Sequence, residues 1–440
     1  MQDGANGENE EATGVVPLSL DPDRADADYA KARAKGRVVT VSFTDTDPDG
    51  DGAEASELQA FLEREHLFVA HYDEVLSALV DNRFSSDPRT TMTPEQREKL
   101  PPVIEELRLL SESLLSRDPP DHTRLRKLIQ PSFSPRVMEV MRPRIQKITD
   151  DLLDMAERAA EARGESAPER RMDLISAFAY PMPVAVISDM LGIPLEDRGQ
   201  VKQWTENLMK ADRRRGGLDD ETIAGLNRFS SYLRDLFAKK RGRGAEDMIT
   251  ELLAAEEAGD KLSEDEVLTT VFLLYLAGHV TTVNLIGNGA FALFQHPTEL
   301  AKVKADPGGR AKGVVEETLR YWGPVDFIAG RIAKQDMELA GTHIPKGEPV
   351  MVGLASANRD AARFPDPDRF DVTREGAERH VAFGKGIHLC VGAPLARVEG
   401  QIAFETLFRR FPAMRLAVPP EEVRWSKSFL RGLVELPVLF

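Results

Sequence analysis

FGKGIHLCVGAPLAR, running from Phe383 to Arg397, holds Cys390, the sole cysteine among 440 residues. One thiol cannot form an intramolecular disulfide, so the chain has none. The flanks are unusual for an inert residue. Gly384, Gly386 and Gly392 allow backbone conformations closed to other residues and a close approach to a flat ligand. Pro394 suits the first turn of a helix running to about Phe411, which sets the sulfur near a helix N-terminus. Unpaired amides and the positive end of the helix dipole there are expected to favour the thiolate.

Four uses of such a thiol stand open: a small buried hydrophobe, a nucleophile, one ligand of a mixed zinc site, or an axial thiolate on haem iron. Zinc needs further Cys or His at short spacing, and the eight histidines show no such pairing around this loop. A nucleophile needs a base, which His388 supplies only if the loop folds back on itself. Haem ligation asks for one protein sulfur.

The loop closely resembles the haem-binding loop of the bacterial cytochrome P450 monooxygenases: a phenylalanine, two glycines, a histidine, the cysteine, and a glycine after it. The resemblance extends from about Leu67 to the C-terminus. It implies haem b, iron protoporphyrin IX, with Cys390 as its axial ligand. Phe383 then shields the sulfur, Gly384 and Gly392 belong to the cofactor loop, and the amides near Gly392 tune the sulfur.

Composition is compatible with that reading. The formal net charge is −16, of which −9 falls in residues 1–60. The polar, aromatic-free start MQDGANGENEEATG predicts a solvated, disordered acidic segment over residues 1–35, followed by a single domain over 36–440. No basic start with an apolar run is present, so neither a signal peptide nor an N-terminal anchor is expected, and the location expected is the cytoplasm. An acidic chain with only short basic runs such as DRRRGG is a poor nucleic-acid binder. Val267 to Phe294 has no Asp, Glu, Lys or Arg and exceeds the roughly 20 residues that cross a bilayer. Its central His279, Thr281, Thr282, Asn284 and Asn288, with SEDE before it, predict instead the core helix of a soluble protein.

Along the chain, RVVTVSF and LFVAH read as strands and HYDEVLSALVDN as an amphipathic helix. Arg83 to Pro120 reads as loop broken by short helices. Helical patterns follow over Pro135–Arg163, Met172–Met190, Asp197–Lys210, Asp219–Arg241, Asp247–Glu257, the apolar run, Pro297–Lys304 and Gly309–Trp322. MELAG and EPVMVG fit short strands. No repeat period appears. The fold class is mostly α with a minor β region, which is what the resemblance implies.

The remaining site residues are assigned by the same resemblance. His122 and Arg126, four apart on one helix face, with Arg331 and His388, match the positions that bind the haem propionates. Glu317 and Arg320 match the family's Glu-x-x-Arg, a buried structural ion pair. In LAGHVTT, Ala277 and Gly278 lack bulk where a helix passes over the porphyrin, and Thr281 matches the threonine that helps deliver protons for oxygen activation. The acid usual just before that threonine is replaced by Val280, which cannot relay a proton. His279 lies about 200° around the helix from Thr281. Asn284, one turn on, offers an amide that anchors water but is no acid. Protons are therefore expected to arrive by water or by a group on the substrate.

The function implied is insertion of one oxygen atom from O2 into a small organic substrate, free or carrier-bound, in bacterial secondary metabolism. No dinucleotide fingerprint follows a strand, so electrons from NAD(P)H come through a separate ferredoxin or flavodoxin and its reductase, docking near Arg124, Lys127 and Lys385. The loop before His122, the turn Arg213–Gly217 and VDFIA at Val325–Ala329 are expected to line the substrate pocket. The missing acid leaves open peroxide-driven oxidation, oxidative coupling or carrier-bound chemistry. A haem sensor or carrier without turnover is the reading from a different class.

Overall fold

The computed structural model describes residues 14–44, 64–93, 112–210, 220–244, 247–257, 262–426 and 430–440. In chain order its first elements are β1 (Val16–Leu18), α1 (Pro22–Lys35), β2 (Val38–Phe43), β3 (His66–Val69), α2 (Tyr72–Val80), β4 (Phe84–Ser85), α3 (Asp121–Ile129), α4 (Pro135–Ala162) and β5 (Arg171–Asp173). The helical body continues with α5 (Pro181–Leu191), α6 (Arg198–Lys210), α7 (Asp220–Lys240), α8 (Met248–Glu257), α9 (Glu264–Gln295), α10 (Pro297–Ala305) and α11 (Pro307–Trp322). Then come β6 (Phe327–Ala333), β7 (Met337–Leu339), β8 (Thr342–Ile344), β9 (Pro349–Gly353), α12 (Leu354–Asn358), α13 (Ala393–Arg410), β10 (Arg415–Leu416) and β11 (Pro437–Leu439). The mostly helical expectation holds.

A six-stranded sheet, ordered β1-β2-β3-β9-β6-β4, flanks the helices; β1/β2 and β3/β9 are parallel and its other pairs antiparallel. Helix α9 is the axis of the body. A reciprocal cap between Ser263 and Glu266 starts it, satisfying two otherwise orphaned amides. Its most apolar stretch is long enough to cross a membrane, yet 72% of that stretch is buried inside the protein. Apolar residues on all sides of α9 meet α5, α11 and α13, as a core helix requires.

Two expectations need correction. Residues 16–35 are not a disordered tail: β1 pairs with β2, and α1 buries Ala25, Tyr29 and Ala32 on one face. Its acidity is neutralised rather than solvated, since Asp26 pairs with Arg431 at 2.7 Å and Arg359 at 3.2 Å. Residues 1–13 lie outside the described residues. The helix predicted over Met172–Met190 is instead β5, a π-helical turn at Ile175–Ala179, and α5, with Pro181 opening the last. VDFIA leads into β6, whose register shifts between Ile328 and Arg331, where Gly330 adopts a φ of 79°. The turn Arg213–Gly217 and much of the loop after Thr93 fall outside the described residues.

Candidate active site

The Cys390 loop is built on two left-handed glycines, Gly384 (φ 69°) and Gly386 (φ 74°). A side chain at Gly386 would also strike the Leu79 carbonyl at 2.7 Å, so glycine is required there twice over. Gly392 is right-handed, and a Cβ on it would stand a tolerable 3.9 Å from the sulfur. The Cys390 amide donates to the Phe383 carbonyl at 2.9 Å, closing the loop. The Phe383 ring lies between the Arg397 guanidinium, 4.7 Å from its centroid, and the His380 ring at 5.7 Å. Glu316 holds both neighbours, at 2.7 Å from Arg397 and 3.2 Å from His380, and these partners keep its carboxyl ionised down to about pH 2.

Cys390 is exposed and lies among the residues lining both a broad bowl on one side of the loop and a cavity on the other. Burial pushes the thiol up. Hydrogen bonds from the Gly392 and Ala393 amides and the charges of Arg126 and Arg397 oppose this without reversing it. The helix N-terminus therefore favours the thiolate without outweighing burial.

Above the loop lies a cavity of about 490 Å³, within the usual range for small-molecule sites. Cys390, Phe383 and Gly392 line one side, and Ala277, Gly278 and Thr281 of α9 line another. Thr281 donates its hydroxyl to the Ala277 carbonyl one turn back, at 2.9 Å. Gly278 has a second duty: a Cβ there would meet Ile187 of α5 at 3.1 Å, so its smallness serves helix packing too. Leu114, Leu115 and Ser116 before His122, and Val325, Ile328 and Ala329, line the cavity as expected.

His122, Arg126, Arg331 and His388 converge on one end. The His122 and His388 rings are 4.4 Å apart, and Ser86 bonds both His388, at 3.0 Å, and Arg331. Both ring nitrogens of His122 and Nε of Arg331 are buried without a partner among the described residues. The nearby acid, Asp118, is spent on Ser85 Oγ at 2.5 Å and the Ser86 amide at 3.1 Å. Burial, reinforced by Arg331, His122 and Arg126, drives His388 down to about 3. Burial with the same kind of cationic crowding lowers His122. Such a cluster of donors lacking an acceptor fits the two carboxylates of haem b. Ser86 was not evident from the sequence, because a serine in a loop carries no signal until the fold sets it between two cations.

Glu317 and Arg320 form the expected buried pair. Arg320 also donates to the carbonyls of Asn358, Pro367 and Arg369, while Glu317 accepts from the Asp371 amide and Arg374. The pair thus clamps the coil before the cysteine loop.

The residues around Thr281 separate clearly. Val280 is buried, 5% exposed. His279 is fully buried between Tyr180 and Tyr275, donating to the Tyr275 carbonyl at 2.6 Å; burial lowers it to about 4. Asn284 packs against Gly432, where a Cβ would stand 2.2 Å from its Oδ1. None of the three lines the cavity. Arg124, expected on a docking surface, is engaged by Glu266 at 2.5 Å and Asp121 at 3.3 Å.

Comparison with known proteins agrees with this geometry. Residues 311–437 match the family model described as Cytochrome P450. The chain is 43% identical over 378 residues to cytochrome P450 CYP107DY1 of Priestia megaterium, covering 84% of this chain and 88% of that protein. It is 41% identical over 372 residues to the cytochrome P450 monooxygenase PikC of Streptomyces venezuelae, covering 84% of each. The solved myxobacterial CYP267B1, in complex with myristic acid, superposes with a TM-score of 0.80 at 39% identity, over 95% of this chain and 98% of that one. The fold and site define a haem-thiolate oxygenase. The chain belongs to the cytochrome P450 family. It is a monooxygenase that binds haem through a cysteine thiolate and takes electrons from NAD(P)H by way of redox partners.

Proposed function

We propose that Cys390 is the thiolate ligand, that His122, Arg126, Arg331 and His388, joined by Ser86, hold the propionates, and that the cavity takes a neutral, largely apolar metabolite. The observation that carries the reading is the cluster of unsatisfied donors closing a cavity that opens onto the chain's one sulfur. Bound haem supplies dioxygen activation and transfer of one oxygen atom to substrate. The chain supplies placement. Phe383 shields the sulfur, the Glu316–Arg397–His380 group fixes Phe383, and Ala277 leaves room beside the Thr281 hydroxyl. Walls such as Leu273, Leu274, Val325 and Ile328 exclude water and favour apolar substrate surface.

The similarity, at 42% identity, to a Bacillus subtilis protein named polyketide biosynthesis cytochrome P450 PksS supports a place in bacterial secondary metabolism. Electrons are proposed to enter on the Cys390 side, where a broad bowl of about 960 Å³ is lined by Lys127, Arg363, Arg379, Lys385 and Arg397, with Glu378 the one acid among its lining residues. That charge suits an acidic ferredoxin or flavodoxin. The test is the absorbance of the reduced, carbon monoxide-treated protein. The native chain gives the red-shifted band of thiolate-bound haem, and Cys390→Ser abolishes it. A band unchanged in the variant overturns the assignment.

A further inference from the structure

Pro324 and Val325 line the cavity, and a buried guanidinium outside it holds them. Arg431 is 2% exposed and sits between two carboxylates. Its Nε and Nη2 donate to Asp326 at 3.0 and 3.1 Å, and its Nη1 and Nη2 donate to Asp26 of α1 at 3.2 and 2.7 Å. Its backbone is committed as well: the amide donates to the Pro324 carbonyl at 2.9 Å, and the carbonyl accepts from Asn288 Nδ2 of α9 at 3.0 Å. The same Nδ2 donates to the Trp322 carbonyl at 3.0 Å, and Val325 pairs with Leu430 in an antiparallel bridge. Helix α1 adds further ties. Tyr29 donates its hydroxyl to Asp326 at 3.3 Å, while Asp26 accepts from Trp322 Nε1 and from Arg359, each at 3.2 Å.

Withdrawing such a group of charges from water costs about as much as its ion pairs return, and packed apolar side chains of the same volume often serve stability better. Stability alone is therefore a poor account of it. Directional bonds to a planar guanidinium fix geometry instead, because each carboxylate oxygen has one place to be. None of Asp26, Asp326 and Arg431 lines the cavity, yet the segment they clamp, Trp322 to Asp326, carries the Pro324–Val325 wall. We propose that Asp326, Arg431 and Asp26 are positioning residues for substrate specificity: they set the wall against which an apolar substrate packs, and they make α1 part of the binding apparatus. This rests on the haem-thiolate reading above, which makes this cavity the substrate site. A wall pinned by ion pairs does not move to admit a misfit, so the substrate favoured is a rigid apolar body whose shape matches it.

The test compares two azoles on the haem-loaded protein, each followed by the visible shift as its nitrogen meets the iron. Imidazole reads the iron alone. Econazole, an imidazole with two chlorinated aromatic arms, must also pack against the cavity walls. Asp326→Asn keeps the shape of the side chain and drops its charge. It is expected to raise the econazole Kd about tenfold, the scale of one methylene's misfit in an apolar pocket, and to leave the imidazole Kd at its native value. Asp26→Asn, a change on α1, provides a second variant and is expected to shift the ratio of the two constants in the same direction. Asp368→Asn is the control: Asp368 pairs with Arg359 at 2.7 Å from a side chain 82% exposed, and its loss is expected to leave both constants native. All binding is read well below each variant's thermal midpoint. Lowered midpoints with a native ratio in both Asp326→Asn and Asp26→Asn describe a merely structural network and overturn the proposal. Equal weakening of both azoles places the effect at the iron and overturns it too. The carbon monoxide band, read on every sample, separates these failures from failure of the haem-thiolate assignment.

Discussion

Arg320 grips Glu317 through two parallel hydrogen bonds, Nη2 to Oε1 at 2.7 Å and Nε to Oε2 at 2.8 Å, with both side chains wholly out of solvent. The geometry is the paired fork that only a guanidinium provides. Three backbone carbonyls occupy the rest of Arg320, so its loss leaves buried Glu317 with only Arg374 and the Asp371 amide and frees the coil from Asn358 to Arg369 at once. Removing one member of a buried pair costs roughly 3–5 kcal/mol. Arg320→Ala is expected to give insoluble or haem-free chain, scored as haem per polypeptide. Arg320→Lys keeps the charge without the fork and is expected to fall between.

Lining the cavity, His122 has both nitrogens buried and unbonded among the described residues. If it donates to a propionate, His122→Ala removes a charge-assisted hydrogen bond worth roughly 1.5–3 kcal/mol. Haem loss, followed by transfer to apomyoglobin, is expected to accelerate by roughly 10- to 100-fold. A rate equal to native would remove His122 from the assigned set.

His279 predicts an acid-side instability. Its ordinary value of 6.5 drops to about 4 in the folded protein, because burial opposes the charged ring. Above pH 6.5 the ring is neutral in both states and costs nothing. As pH falls from 6.5 to 4, only the unfolded chain takes up the proton, so stability is lost, on the order of 3 kcal/mol in total. His279→Phe keeps ring packing without the titration. Its thermal midpoint is expected to fall less steeply than native over that pH window.

Glu399 has the opposite sign. Its carboxyl, ordinarily at 4.5, is held at about 8 when folded. Between those values the folded protein keeps a proton that the unfolded chain has released, so stability declines as pH rises from 4.5 to 8 and levels beyond. The total is on the order of 5 kcal/mol. Glu399→Gln is expected to remove most of that slope and to raise the thermal midpoint at pH 8 and above.

How much of this was legible beforehand divides along physical lines. The cysteine loop announced itself because left-handed glycines, a lone thiol and a following proline are local requirements. Long helices were legible from period alone. Helix α1 was misread because acidic composition outweighed a pattern that was present: Ala25, Tyr29 and Ala32 recur at helical spacing, and Asp26 finds its cation, Arg431, 405 positions away. Strand β6 was hidden by Gly330 and its shift of register. Glu399 looked like any glutamate on an amphipathic helix. Only the crossing of α13 with α9 buries it, and that crossing is a tertiary fact. Arg124 failed in the same way, since Glu266 lies 142 residues off.

The bowl beneath Cys390 yields a prediction about partners in which Arg124 is the control. Lys127 and Lys385 line the bowl and make no ion pair among the described residues, whereas Arg124 is bound to Glu266 at the start of α9. Exposed cations at a docking face steer an acidic partner and set its affinity by charge, each pair contributing about 1 kcal/mol at most. Lys127→Glu and Lys385→Glu are each expected to raise the KM for reduced ferredoxin by about fivefold, with the effect shrinking as salt rises through about 0.15 M. Peroxide-driven turnover, which needs no partner, keeps its native rate in both. Arg124→Glu sets two acids against each other at the N-terminus of α9, so its effect is expected in the thermal midpoint and to persist at high salt. If all three variants change ferredoxin KM alike, the docking face lies elsewhere on the Cys390 side.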